Sequence, residues 1–222
     1  MPNSSPLPAF IRPMLAKPGR PFDSQEHLFE VKWDDVRATV YVERDGYRIM
    51  SRQRQMITDR FPELGFLAKL RSGTMLDGEL VVTKGGKPDF ALVAARCQLR
   101  AEHKIHTLSR TGPATYIVFD QLFDGYRSLM DQPLVRRRET LAKTVARAGQ
   151  EPLIVSAGIV GPGKAFYQQV VREQLEGVVA KRLTSRYLPG RRSDAWLKIK
   201  WLARPPVKRK NFAPSGWVFR PT

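Results

Sequence analysis

The chain has 222 residues, with 38 Lys/Arg against 21 Asp/Glu, a net charge of +17 and a pI of about 10.5. A hydrophobic content of 42% is enough for a packed core and excludes a disordered tail. A single cysteine, Cys97, excludes an intrachain disulfide framework and points to a reducing compartment, and no apolar run approaches the roughly 18 residues a membrane span needs.

The N-terminus lacks the basic-then-apolar order of a secretion signal, so a cytoplasmic protein is expected. Residues 1–9 read as a flexible leader. Leu28–Trp33 and Ala38–Glu43 are apolar and β-branched and predict strands. Asp45-Gly46 marks a hairpin turn, with Arg48–Ser51 as the returning strand. Phe61–Leu70 has apolar spacing closer to a helix. Met75–Thr83 predicts a strong strand, closed by the turn at Gly85-Gly86. Helices are then expected over Phe90–Arg100, Arg136–Ala148 and Lys164–Leu175, and strands over Tyr116–Phe123, Gly177–Lys181 and Trp196–Trp201. Irregular alternation with frequent hairpins implies an α+β fold with mainly antiparallel sheets. No boundary is visible within residues 10–202, which read as one domain. Residues 203–222 carry four prolines and the run Lys208-Arg209-Lys210, and read as a basic C-terminal arm. From Lys181 to Thr222 there are twelve Lys/Arg and one acid, so this stretch holds +11 of the charge. A localised basic stripe favours a phosphate-rich partner, because neutralising phosphates releases condensed counterions.

Five strings carry chemistry. In Glu30-Val31-Lys32-Trp33-Asp34-Asp35-Val36-Arg37 a lysine leaves a strand and meets two acids and an arginine. A groove lysine becomes a nucleophile where burial or neighbouring cations favour its neutral form. A salt-bridged lysine at a strand end is the plainer alternative. Met75-Leu76-Asp77-Gly78-Glu79 places carboxylates in an apolar strand, where an unpaired charge is expensive. Tyr116-Ile117-Val118-Phe119-Asp120 ends an apolar strand on an aromatic and an acid. Glu176-Gly177-Val178-Val179-Ala180-Lys181 is flanked by an acid and a base. Trp196-Leu197-Lys198-Ile199-Lys200 sets two lysines at i and i+2 on one strand face, where an anion such as phosphate would relieve their repulsion. Each string alone could be a rim charge or a satisfied core acid. Together they predict one polar groove.

In this order the strings resemble the motifs of covalent nucleotidyltransferases: ATP-dependent DNA ligases, RNA ligases and mRNA capping enzymes. They are most similar to the ligase domain of bacterial end-joining DNA ligases. Phe10-Ile11-Arg12-Pro13-Met14, Ser51-Arg52, Arg60-Phe61-Pro62-Glu63, Arg136-Arg137-Arg138 and Tyr187-Leu188-Pro189-Gly190-Arg191-Arg192-Ser193 extend the resemblance. It implies an adenylation-domain fold around an ATP groove and lysine self-adenylation by ATP. AMP would then pass to a DNA 5′-phosphate and a nick would be sealed during DNA repair. By this resemblance Lys32 is the nucleophile and Glu176 binds Mg2+ (or Mn2+). Lys198 and Lys200 hold the α-phosphate, Glu79 binds the ribose and Phe119 stacks on adenine. Glu30 reads the adenine amino group, and Arg37 and Arg52 lie near ribose and phosphates.

Two departures stand out. Asp35 occupies the glycine of the family's Lys-x-Asp-Gly motif, which predicts slower adenylation, to be raised by Asp35→Gly. Only Leu202–Thr222 follows the last lysine strand, too short for the oligonucleotide-binding (OB) barrel of DNA ligases. The chain is therefore expected to be an adenylation domain without an OB-fold domain, acting on nicked or broken duplex DNA, with a repair partner supplying the missing function. The alternatives are a pseudo-ligase that only binds DNA nicks or ends, and an RNA ligase.

Overall fold

The structure, a computed structural model, describes residues 6–33, 35–149 and 152–201. Asp34 and the arm expected over 203–222 lie outside the described residues. In chain order the strands and helices begin with β1 (Leu15–Pro18), β2 (Ser24–Val31), β3 (Val36–Glu43), β4 (Gly46–Ser51) and a 3-10 segment over Pro62–Lys69. Next come β5 (Thr74–Lys84), β6 (Lys87–Pro88), α1 (Phe90–Gln98), α2 (Glu102–Thr111), β7 (Ala114–Asp124) and β8 (Arg127–Ser128). The last are α3 (Leu134–Ala148), β9 (Leu153–Val155), β10 (Gly158–Gly161), α4 (Gly163–Arg172), β11 (Gly177–Arg182) and β12 (Arg192–Lys200).

Two sheets result. The first runs β1-β12-β11-β2-β10, the second β4-β3-β5-β7-β8, with β6 beside β5 and β9 beside β7. Only β1/β12 and β7/β9 pair in parallel among the described residues. The expected α+β fold with mainly antiparallel sheets is what forms.

Strand periodicity sorts the side chains. In the first sheet Glu30, Val179 and Lys198 lie in one row, and Leu28, Lys181 and Trp196 in another. One face therefore carries the charges. The other carries Phe29, Val31, Val178, Ala180 and Ile199, which pack on Phe166 and Val170 of α4. Phe29 and Ile199 are buried to within 1%, and each such side chain contributes about 1.5–3 kcal/mol. In the second sheet Ala38, Val40, Leu76, Leu80 and Val118 face Val93 of α1, Leu64 and Leu67 of the 3-10 segment, and Leu141 of α3. Its opposite face presents Tyr41, Met75, Phe119 and Phe123, which meet Tyr187 and Trp196 from the first sheet's side. The two sheets thus close on each other through this aromatic cluster and leave a groove beside it.

Three local expectations change. The helix read over Phe61–Leu70 is an unbroken 3-10 segment, started by Pro62 and carrying Gly65, a poor α-helix former, inside it. Helix α2 went unread because Ile105 is its one buried residue, so it has no apolar stripe. Part of the segment read as a flexible leader is fixed. Leu7 is 5% exposed, its N–H donates to Glu43, and Arg48 donates to the carbonyls of Pro8 and Ala9.

Candidate active site

The groove encloses about 630 Å³, and its walls include Glu30, Lys32, Arg37, Arg52, Glu79, Phe119, Lys198 and Lys200. Glu176, the remaining residue singled out above, joins them through salt bridges to Lys32 and Lys200, the latter at 2.8 Å.

Sheet register explains why Lys32 and Glu176 meet. The Lys32 N–H donates to the Gly177 carbonyl at 2.8 Å, and the Trp201 N–H donates to the Glu176 carbonyl at 2.9 Å. The end of β2 is thus stitched to the start of β11, and that start to the end of β12. Gly177 has φ +149°, and a Cβ there would collide with the Ile199 carbonyl. Only glycine lets β12 come this close behind Glu176.

Cations dominate this end. Burial, helped by Arg192, Lys200 and Lys32, lowers the pKa of Lys198 against the pull of Glu176. Burial works to raise the pKa of Glu176, but hydrogen bonds from Lys200 and Lys32 hold it below the ordinary carboxylate value. Lys32, Arg192, Lys198 and Lys200 are therefore gathered around one carboxylate, an arrangement that suits a polyphosphate. Arg192 stood in one of the strings that carry the resemblance but was given no role in the site. Its even spacing from Lys198 along β12, which puts both on one face, was the available signal.

At the other end Glu30 is 2% exposed and paired with Arg138 at 2.9 Å and with Lys181. The Lys181 ammonium lies 4.0 Å from the Phe119 ring centre and 4.6 Å from that of Trp196. Burial lowers its pKa, with Glu30 opposing. Phe119 meets Trp196 edge to face at 6.1 Å and also carries the Arg37 guanidinium at 4.8 Å. Lys181 and Arg138 were visible in the sequence, but nothing local assigned them to the Glu30 carboxylate.

The middle holds Glu79 and Asp35. Burial pushes the Glu79 carboxyl up to about 8, against the attraction of Arg37 and Lys32, with Asp77 and Asp35 adding repulsion. The free protein therefore keeps Glu79 largely protonated at neutral pH. Folded Glu79 holds its proton to about pH 8, whereas the unfolded chain releases it near 4.5. Stability should thus fall as pH rises between those values, by up to about 1.4 kcal/mol per pH unit, and level off above. In urea titrations at pH 5, 6.5 and 8.5, Glu79→Gln should remove that slope and be the more stable protein at pH 8.5. An unchanged slope would place the titration elsewhere.

Cys97 is half-buried and lines the same groove, its thiol pushed up to about 11 by burial. His103 and His106 are exposed on α2. Among the described residues no three His, Cys, Asp or Glu side chains gather as a metal cage. A single carboxylate among cations, as Glu176 is here, has the chemistry to fit a magnesium ion held largely by substrate oxygens and water.

Fold and groove define a two-sheet domain with a cation-rich cleft between the sheets, and comparison with known proteins supplies the family. The chain belongs to the ATP dependent DNA ligase domain family, whose profile matches residues 13–200. It is 30% identical over 192 residues to the SPbeta prophage-derived DNA ligase-like protein LigB of Bacillus subtilis, covering 86% of this chain and 67% of that one. It is 33% identical over 203 residues to the DNA ligase of Thermococcus fumicolans, where 86% of this chain spans 36% of the relative. The solved structure of a mycobacterial DNA ligase D complexed with ATP and MES superposes with a TM-score of 0.68 at 31% identity, over 86% of this chain and 60% of that one.

Proposed function

We propose that this domain adenylates its own Lys32 with ATP, transfers the AMP to the 5′-phosphate of nicked duplex DNA, and lets the 3′-hydroxyl displace it to seal the nick. The observation that carries this reading is the groove itself. A lysine amine, a carboxylate and three further cations lie at one end, and an aromatic wall of Phe119 and Trp196 with its own base, Lys181, and acid, Glu30, lies at the other.

That end favours ATP over GTP. Adenine offers an acceptor, N1, beside a donor, the 6-amino group. Lys181 can donate to the first and Glu30 can accept from the second. Guanine reverses both and would set its O6 against the Glu30 carboxylate. Phe119 provides the stacking face. Arg37 and Arg52 flank the sugar and phosphates, and Glu79, in its protonated form, can donate to or accept from a ribose hydroxyl.

At the polyphosphate end Lys198, Lys200 and Arg192 hold the phosphates, so that the α-phosphorus faces the Lys32 amine. Once deprotonated, that amine attacks. The N–P bond forms as the bond to pyrophosphate breaks, and Lys198 and Lys200 stabilise the charge that moves onto the phosphate oxygens. Glu176 would hold Mg2+ or Mn2+, which when bound neutralises part of the triphosphate charge. The DNA partner is supported by the names of the relatives and by the +17 charge. A role in DNA repair rests on the resemblance to end-joining ligases.

The test is intact mass after incubation with ATP and magnesium. One adenylyl group should be gained by the wild type, none by Lys32→Ala, and little with GTP. The adduct should then seal a nicked duplex. Asp35→Gly, assayed alongside, should adenylate faster because it removes a carboxylate beside the triphosphate path. A wild type that binds nicked DNA, takes no AMP and fails to seal pre-adenylylated nicks would instead be a pseudo-ligase.

A further inference from the structure

Arg37 is held from behind by a closed hydrogen-bonded ring. Its Nε donates to Asp77 Oδ1 and its Nη2 to Asp77 Oδ2, both at 2.7 Å. Nη2 also donates to the Met14 carbonyl at 3.2 Å. The Tyr187 hydroxyl donates to Asp77 Oδ2 at 2.7 Å and accepts the Met14 N–H at 2.9 Å. Asp77 is fully buried and Tyr187 is 2% exposed. The ring joins three distant parts of the chain: β3 and β5 of the second sheet, the segment before β1, and the loop between β11 and β12. One edge of the guanidinium is consumed, its plane is pinned near Phe119 and Trp196, and the Nη1 edge is left for the groove that Arg37 lines.

We propose that Asp77 and Tyr187 are positioning residues that aim the Nη1 edge of Arg37 at the bound nucleotide. A long arginine normally loses rotamer freedom when it grips a ligand. Here the protein has already lost that freedom on folding, so the nucleotide meets a fixed donor pair. Tyr187 matters because its hydroxyl ties Asp77 directly to the loop that leads into β12, the strand of Lys198 and Lys200. The inference rests on the nucleotide-binding reading above, but not on Lys32 being adenylated.

The test is equilibrium binding of ATP to the full chain, in a double-mutant cycle. Tyr187→Phe, which keeps the ring and the packing, should weaken ATP binding about fivefold to tenfold. Arg37→Lys cannot form the bidentate contact and should weaken it more. In the Arg37→Lys background Tyr187→Phe should cause no further loss, since no fork remains to be aimed. Asp77→Asn provides a second arm and should fall close to Arg37→Lys if it folds. If the Tyr187 and Arg37 losses multiply, or if Tyr187→Phe binds like the wild type, the proposal is overturned. A wild type that binds no ATP overturns both this proposal and the functional reading. A wild type that binds ATP without forming an adduct overturns only self-adenylation and leaves the cycle to decide this one.

Discussion

Arg137→Ala should cost the domain about 3–5 kcal/mol, a large share of the stability a domain of this size has to lose. Arg137 and Asp120 are both completely buried and form a bidentate pair, Nε to Oδ1 at 2.7 Å and Nη2 to Oδ2 at 2.9 Å. Nη1 donates further to the carbonyls of Gln132 and Ser185. Removing the arginine strands a carboxylate that burial already disfavours and takes a donor from the Gln132 and Ser185 carbonyls, of which Ser185 keeps the Leu134 N–H. The Asp120 carboxyl is raised above its ordinary value by burial even with Arg137 beside it. Asp120 also sits directly across from Asp77 in the β5–β7 ladder, so the uncompensated charge would face a second acid. Chemical denaturation at pH 7.5 measures the loss. The double variant Arg137→Met with Asp120→Leu should recover a good part of it, because it removes both charges and keeps volume. A single-variant loss under 1 kcal/mol would show that water reaches this pair.

Glu176→Gln should reduce the rate of lysine adenylation at least 100-fold while leaving ATP binding intact or tighter. The two effects part because the carboxylate does opposite things to binding and to chemistry. In the free site it is the carboxylate that Lys32 and Lys200 bind, and it offsets the charge of the cluster that includes Lys198. Removing it makes this end of the groove more positive and more attractive to a triphosphate. It also removes the carboxylate that fits magnesium, whose charge neutralisation the phosphoryl transfer needs. Rapid-quench measurement of the lysyl adduct over a range of ATP concentrations should therefore show a lower limiting rate with an unchanged or smaller half-saturation concentration. An unchanged limiting rate with weaker binding would mean that Glu176 orders the cations and takes no part in the reaction.

Much of the site was legible because its residues sit on strands whose polar positions break an apolar run at every second place. Glu30 and Lys32 on β2 and its exit, Glu79 on β5, and Lys198 and Lys200 on β12 all announce a polar face in this way. The sequence order then matched a known family. What stayed hidden is long-range. Tyr187 and Asp77 are 110 residues apart and Asp77 and Arg37 are 40 apart, so no local pattern links them. The plain apolar look of the string around Asp77 suggested only that its acid must have a partner. Short edge elements were missed for a simpler reason. β1, β9 and β10 have three or four residues each, too few for a period to show. Leu7 shows the converse failure. A proline-rich, polar opening looks mobile until tertiary contacts pin it.

The pairing of β1 with β12 has a consequence for how the protein is made. Leu15 lies beside Arg192, so the first strand of the first sheet finds its neighbour only when almost all of the described chain has been synthesised. The second sheet needs nothing beyond β9 and can assemble while the ribosome is still working. The first must wait, and its closure spans nearly the whole chain, the kind of non-local step that slows folding. Lys198 and Lys200, proposed above to hold the phosphates, lie on that last strand. Until β12 is made a nascent chain carries Lys32 without these cations beside it, so on the proposed function nucleotide capture waits for this sheet to close.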